Sequence, residues 1–240
     1  MAADILTPKL GNDKNKIDLT DPKGGFSAIN SESSDLAVIA VPSYGGRVPA
    51  LAAERLAEIK GNNALCVLVC VYGNRDYDDT LAELKDIAEK SGFRVISAVA
   101  AVAEHSIVRQ YAAGRPDSKD EAELQGFAEK ILEKIKTDVD EMTDLEIPGN
   151  RPYKKSGKGG LVPKADSSCT GCGLCAEKCP SQAISRNDPK STDGEKCIHC
   201  MRCISICPQS ARKVSKAAVS AIALALKLVC SDRKNNELFI

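Results

Sequence analysis

The chain has 240 residues, and its 33 Lys and Arg residues equal its 33 Asp and Glu residues in number, so its formal net charge is zero. This balance removes any strong electrostatic argument for nucleic acid or an anionic membrane as the main partner. The most apolar stretch, residues 217–226, is far shorter than the roughly 20 residues that cross a bilayer, and predicts a packing helix instead. Charges throughout residues 1–16 leave no apolar core for a signal peptide, so we expect a cytoplasmic protein without a membrane span.

The first half of the chain alternates between strand and helix patterns. Three apolar runs rich in Val and Ile are typical of buried parallel strands: residues 35–41, 64–71 and 94–102. Apolar residues at helical spacing predict three helices: residues 49–60, 79–90 and 119–136. Residues 16–19 predict a further short strand. The alternation predicts right-handed βαβ crossovers and a parallel sheet covered by helices on both sides.

Residues 138–165 are rich in Pro and Gly, which interrupt every helix or strand pattern there. We interpret them as a linker from an α/β domain (residues 1–137) to a cysteine-rich domain (166–213), with a C-terminal helix and tail at 214–240. The basic linker residues leave two interpretations open, a docking patch for an acidic carrier or a solvated tether: Arg151, Lys154, Lys155 and Lys158.

The cysteine-rich domain contains the pattern Cys-x2-Cys-x2-Cys-x3-Cys-Pro twice, beginning at Cys169 and again, 28 residues later, at Cys197. Four thiolates can hold a [4Fe-4S] cube, and the short spacers let one loop wrap three of its corners. A zinc site explains less, because it leaves the third cysteine of each run and the trailing Pro without a role. Disulfides belong to oxidising compartments, to which nothing in the sequence directs this chain.

The repeat resembles that of the two-cluster bacterial ferredoxins, in which the fourth cysteine of each run binds the other cluster. The resemblance implies two [4Fe-4S] clusters held close together. The implied ligands of the first cluster are Cys169, Cys172, Cys175 and Cys207. The implied ligands of the second cluster are Cys197, Cys200, Cys203 and Cys179.

Ligands of open α/β sheets bind beyond the carboxyl ends of the strands, where residues 42–49 and 72–79 form loops. These loops resemble those that flank the isoalloxazine ring of FMN in flavodoxin-like domains. The resemblance implies that Tyr44 and either Tyr72 or Tyr77 stack on the ring. It also implies that backbone amides approach the ring edge at Gly45, Gly46, Gly73 and Asn74. The alternative is ordinary turn chemistry followed by a helix cap.

The whole layout resembles the flavodoxin-ferredoxin fusion proteins of anaerobic bacteria. It implies an α/β flavodoxin-like parallel sheet of strand order 2-1-3-4-5, a small α+β bacterial-ferredoxin-like domain and a C-terminal helix. One feature departs from the family, in which a Ser/Thr- and Gly-rich loop after the first strand holds the FMN phosphate. Residues 3–10 read as the tail of the first helix and residues 16–19 as the second strand, so the first strand would lie before Met1. We therefore hypothesise a truncated or misassigned start and a complete protein that binds FMN.

Two functional interpretations follow from the sequence. In the first, an electron-transfer protein carries electrons through two [4Fe-4S] clusters coupled to FMN. In the alternative, the chain is a non-flavin iron-sulfur carrier or a docking subunit of a larger redox complex, and its α/β domain is only a scaffold. Both interpretations expect redox proteins as donors and acceptors, and the sequence contains no convincing set of nucleophile, base and orienting residue.

Overall fold

The computed structural model describes residues 2–11, 15–136, 145–155 and 160–240. A mixed four-stranded sheet forms the centre of its α/β domain. Its strand order is β1-β2-β3-β6, and the members are β1 (Leu36–Pro42), β2 (Leu65–Tyr72), β3 (Arg94–Val102) and β6 (Glu237–Phe239). The first three strands are parallel and lie within one residue of their predicted positions. The last strand, which the sequence did not predict, pairs antiparallel with β3.

Helices cover both faces of this sheet, as the alternation predicted. One face carries α2 (Ala50–Ala57) and α3 (Thr80–Lys90), whose Leu56 and Leu84 join the core formed by Cys66, Leu68 and Cys70. The other face carries α1 (Ala2–Leu10) and α4 (Ser118–Ile135). On that face the alternate residues Val67 and Val69 pack with Leu6 and Leu124. The period of two along β2 therefore divides its side chains between two hydrophobic cores.

The predicted strand at residues 16–19 is wrong. Asp18 instead accepts a hydrogen bond from the backbone N–H of Thr20 at 2.8 Å, which closes a local turn. The Leu19 carbonyl accepts a hydrogen bond from the Arg55 guanidinium at 2.6 Å. The Arg55 side chain on α2 thus occupies the Leu19 carbonyl, which in a strand would have to accept a hydrogen bond from a neighbouring strand. The strand order 2-1-3-4-5 stays a prediction.

The described part of the linker, residues 145–155, lies against α3. The carboxylate of Asp79 accepts hydrogen bonds from the backbone N–H groups of Asn150 at 2.8 Å and Lys154 at 2.6 Å. Arg151 pairs with Asp86, and the Lys154 ammonium pairs with Asp78 at 3.0 Å. This segment is therefore not a solvated tether. Lys155 is exposed, and Lys158 lies outside the described residues.

The cysteine-rich domain is built from very short elements. An antiparallel pair, β4 (Lys164–Ala165) and β5 (Arg212–Lys213), closes its two ends together. Two single-turn helices contain the third cysteine of each run: α5 (Leu174–Glu177) and α6 (Arg202–Ser205). With so little regular structure, we expect this domain to gain much of its stability from the group that its cysteines bind.

The last helix, α7 (Lys216–Cys230), extends the predicted packing helix at both ends. Val219, Ile222 and Leu226 pack on Val108 and Tyr111, while the opposite side of α7 exposes other apolar residues. Among the described residues, none of the helices is long and apolar enough for a membrane span.

Candidate metal centre

Two small, partly open cavities lie in the cysteine-rich domain. The cysteines that line the first cavity are Cys169, Cys172, Cys175 and Cys207. The cysteines that line the second cavity are Cys179, Cys197, Cys200 and Cys203. All eight thiols are free. Each cavity thus combines three cysteines of one run with the fourth cysteine of the other run.

Left-handed residues bend the two loops around these cavities. In the first run, Gly171 has φ 74° and Gly173 has φ 75°. In the second run, 28 residues later, His199 and Met201 occupy the same positions with φ 55° and 58°. Glycine adopts this region freely, whereas other residues do so at a cost of about 1–2 kcal/mol each. The shared backbone path shows that the repeat in sequence is also a repeat in structure.

Backbone amides point at the fourth cysteine of each run. Ala183 donates its N–H to the Cys179 sulfur, and Ala211 donates its N–H to the Cys207 sulfur, both at 3.3 Å. Burial alone raises the pKa of the Cys207 thiol, but N–H groups from Ala211, Arg212 and Gln209 outweigh it, so this pKa lies below its ordinary value. These amides favour the thiolate, which is the form that binds a metal.

Burial acts in the opposite direction on several other cavity thiols. It raises the pKa of Cys175, Cys197 and Cys200, and it raises that of Cys203 to about 12. Thiols of this kind become thiolates only when bound cations replace their protons. Within the described ranges, no three Cys, His, Asp or Glu side chains are close enough together to hold a single metal ion.

One buried cation supports the fit of a negatively charged group. Arg212 lines the first cavity and is 2% exposed, and its Nε has no hydrogen-bond partner. A buried N–H without an acceptor costs about 1–3 kcal/mol, and more when the group is charged. A thiolate-bound iron-sulfur cluster would supply both acceptors and negative charge, so the residues present fit such a group.

Comparison with known families identifies this region. Residues 167–212 match the model of the 4Fe-4S dicluster domain, and the match includes all eight cavity cysteines. The segment is a ferredoxin-like domain. The match supports iron-sulfur binding and a role as an electron carrier. Neither the curated proteins nor the solved structures include a significant match to the chain.

The first loop predicted to bind flavin lies beside the ferredoxin-like domain. Gly45 and Gly46, with φ 63° and 81°, form a two-residue turn in which the Tyr44 N–H bonds to the Arg47 carbonyl at 3.0 Å. Such turns require positive φ at both central residues, which explains the Gly-Gly pair. Burial raises the pKa of the Tyr44 phenol, and negative charge on Cys200 raises it further. Tyr44 therefore lies close to the second cavity.

The second predicted flavin loop is engaged by other parts of the chain. The rings of Tyr72 and Tyr77 pack edge to face with centroids 5.2 Å apart, and the Tyr77 hydroxyl bonds to Glu237 at 2.6 Å. The Asn74 amide donates to the backbone carbonyls of Cys230 at 2.9 Å and Asp232 at 2.8 Å. A side chain at Gly73 would collide with the ring of His105. The C-terminal segment therefore occupies the polar groups of this loop.

Two arginines connect the two domains, a role that the sequence analysis predicted for neither of them. Arg55 of α2 donates to the Pro180 carbonyl at 2.9 Å and lies 5.3 Å from the centroid of the Phe26 ring. Arg202 of α6 donates to the Thr20 hydroxyl. No local pattern marks these residues, because their partners are far away in the sequence.

Proposed function

We propose that this chain carries electrons through two [4Fe-4S] clusters with crossed ligands. The observation that carries this proposal is the grouping of cysteines around the two cavities, three from one run and one from the other in each case. The first cluster takes Cys169, Cys172, Cys175 and Cys207 as ligands. The second cluster takes Cys197, Cys200, Cys203 and Cys179.

The bound clusters supply one-electron redox chemistry, and the protein controls their surroundings. Backbone N–H groups of Ala183 and Ala211 stabilise the charged sulfurs of Cys179 and Cys207. Apolar side chains such as Leu174 and Ile184 line the cavities and limit the access of water. Because the two ligand sets share both runs, the clusters lie close enough for an electron to pass between them.

The two clusters face different surroundings in this arrangement. Cys172 in the first cavity is exposed, whereas Cys200 in the second is near enough to Tyr44 of the α/β domain for its charge to raise the pKa of that phenol. The first cluster is therefore the exit or entry point for soluble redox proteins. The second cluster faces the sheet end where the sequence resemblance implies FMN.

The geometry favours the non-flavin alternative for the α/β domain. Of the seven residues implied to contact the flavin, Asn74 and Tyr77 already bond to the C-terminal segment, and Tyr72 packs against the Tyr77 ring. Tyr44 and the open turn at Gly45 remain the parts of the predicted site next to a cluster. FMN coupling thus stays a prediction, and a bound flavin would exchange electrons with the second cluster.

Analysis of anaerobically purified protein tests both proposals. We expect about eight iron atoms and about eight acid-labile sulfides per chain, with a spectrum of two interacting reduced clusters in electron paramagnetic resonance. Flavin measured in the same sample decides between the interpretations, because stoichiometric FMN supports the coupled carrier and full clusters without flavin support the scaffold. Protein that stays free of iron after reconstitution contradicts the carrier proposal.

Single cysteine variants test the crossed ligands. We expect Cys172→Ala and Cys207→Ala to lose or alter the same cluster signal, and Cys203→Ala to alter the other signal. Matching spectra for Cys203→Ala and Cys207→Ala would instead mean that each run binds its own cluster. Cys230→Ala is the control, since Cys230 is a buried thiol that packs on Val108 and Tyr111, away from both cavities, and its loss leaves the iron content unchanged.

A further inference from the structure

The two halves of the ferredoxin-like domain differ at one buried position beside the clusters. A shift of 28 residues superposes Cys179 on Cys207 and Ala183 on Ala211, and the amide-to-sulfur distance is 3.3 Å in both pairs. The next residue is Ile184 in the first run and Arg212 in the second. Ile184 lines the second cavity, and Arg212 lines the first. The first cluster therefore has a positively charged neighbour where the second has an apolar one.

The neighbours of Arg212 do not neutralise its charge. Its terminal nitrogens donate to the carbonyl oxygens of Pro189 at 3.4 Å and Ser191 at 3.1 Å, and to the hydroxyl of Thr192 at 2.9 Å. All three acceptors are neutral. Its Nε is, within the described part of the chain, the only buried side-chain nitrogen or oxygen that lacks a hydrogen-bond partner. A buried guanidinium held in this way needs an anion next to its free N–H.

The charge of Arg212 reaches cysteines around both cavities. Both cavities take cysteines from both runs, so they lie close together, and the charge of Arg212 acts on the second cavity as well as on the first. The long-range charge is therefore shared, whereas the free Nε–H belongs to a residue that lines only the first cavity. The short-range hydrogen bond is what can distinguish the two clusters.

We propose that the Nε–H of Arg212 donates a hydrogen bond to a sulfur of the first cluster and makes that cluster the easier of the two to reduce. This inference rests on the two-cluster function proposed above. Reduction adds one electron from a redox-protein donor and breaks no protein bond, and a hydrogen bond from a cation stabilises the added negative charge. Electrons therefore collect at the first cluster, next to the exposed Cys172, and the direction of transfer is from the second cluster to the first.

Redox titration of the reconstituted full chain, monitored by electron paramagnetic resonance, tests this inference. Arg212→Ile copies the residue of the first run, and we expect it to make the first cluster at least tenfold harder to reduce, a shift of about 59 mV for one electron. We expect a smaller shift at the second cluster. The Cys172→Ala spectrum identifies the first cluster. Lys213→Gln is the matched control, since it removes one positive charge from the neighbouring exposed residue, which pairs with Asp166.

Arg212→Lys keeps the positive charge without the Nε–H, and it decides the question if Arg212→Ile fails to take up clusters. We expect an intermediate shift in Arg212→Lys. In protein labelled with ¹⁵N-arginine, pulsed resonance should detect a nitrogen coupled to the reduced first cluster in the wild type and in Lys213→Gln, and this coupling should be absent from Arg212→Lys.

The inference is overturned if Arg212→Lys holds full iron and sulfide, shows reduction equilibrium constants of both clusters within twofold of the control and keeps the nitrogen coupling. Equal shifts of both clusters in Arg212→Ile overturn it as well, because they leave only the shared charge. In either case the two-cluster carrier stands. Wild-type protein without iron contradicts the carrier proposal itself, so the two failures are distinguishable.

Discussion

Asp79 shows how one buried carboxylate joins segments that lie far apart in the sequence. It is 1% exposed at the start of α3, and it accepts two backbone N–H bonds and one side-chain bond from residues 150–154. The backbone N–H groups of Lys154 and Asn150 hold its pKa below the ordinary value. The charge on Asp79 is thus stabilised by the linker that it holds.

Removing this charge should loosen the linker. Asp79→Asn replaces an acceptor of three hydrogen bonds by an amide with one acceptor oxygen, and we expect the free energy of unfolding to fall by about 2–3 kcal/mol. Urea denaturation of the anaerobic protein at neutral pH measures the change. Asp21→Asn is the control, because Asp21 is exposed and its carboxylate accepts the Lys23 N–H within a local turn, and we expect a change within about 0.5 kcal/mol. Equal effects in the two variants would refute the role of Asp79.

Tyr153 gives the linker contact a dependence on alkaline pH. Burial first, and then its bond to Asp86, raise the pKa of Tyr153 to about 12. A phenol whose folded-state pKa exceeds its unfolded value of about 10 stabilises the fold below pH 10. This stability is lost as the pH rises through 12.

Ultraviolet titration tests the Tyr153 prediction. The difference in phenolate absorbance between the wild type and Tyr153→Phe isolates one tyrosine, and we expect it to titrate near pH 12 in the folded protein. In urea the same difference should titrate near pH 10. A midpoint near 10 in the folded protein would show that the phenol is solvated.

At the level of elements, the helices differ in how much of their surface the protein covers. Leu124 of α4 is 1% exposed and packs between α1 and the sheet, whereas Leu228 of α7 is 94% exposed. Since α7 contacts the protein along one side only, its apolar composition overstates its burial. A hydrophobic helix in sequence is therefore not always a buried helix in structure.

A matched pair of substitutions measures this difference between elements. We expect Leu124→Ala to lower the free energy of unfolding by about 2–5 kcal/mol, because it leaves a cavity in the core. We expect Leu228→Ala to change it by less than about 0.5 kcal/mol. Urea denaturation of the two variants under identical anaerobic conditions supplies the comparison. A large loss in Leu228→Ala would show that another surface covers α7.

At the level of the whole molecule, arginine side chains and the linker hold the ferredoxin-like domain against the α/β domain. Arg55 bonds to the carbonyls of Leu19 at 2.6 Å and Pro180 at 2.9 Å, so it joins two segments that have no contact in sequence. Pro180 lines the second cavity, so this contact holds that cavity against the α/β domain. The α/β domain thereby presents a defined surface to one cluster.

Loss of the Arg55 contacts should be visible in amide hydrogen exchange. Arg55→Gln removes two hydrogen bonds worth about 1 kcal/mol each, and we expect exchange near residues 19–28 and 180–184 to become about 5- to 30-fold faster. Arg109→Gln is the control, because Arg109 forms an exposed ion pair with Glu104 and contacts neither segment. Unchanged exchange in Arg55→Gln would mean that other contacts suffice to hold the domains together.

Several features of the fold were predictable because their causes are local. Runs of apolar residues placed β1, β2 and β3 within one residue, and helical periodicity located α3 and α4. Residues 16–19 misled the prediction because a short segment of alternating polar and apolar residues does not reveal whether a neighbouring strand is available. The strand β6 was missed because its three residues form a strand only through pairing with β3.

The candidate site likewise has features that the sequence predicts and features that depend on tertiary structure. Cysteine spacing by itself predicted the iron-sulfur chemistry that the family match supports, since thiolates three or four positions apart can bind one cluster. Tertiary structure alone decided which groups surround it, including Arg212 in the first cavity and Tyr44 beside the second. It also decided that Asn74 and Tyr77 bond to the C-terminal segment. The physical reason is that a ligand's identity depends on its own atoms, whereas its neighbours depend on how distant segments pack.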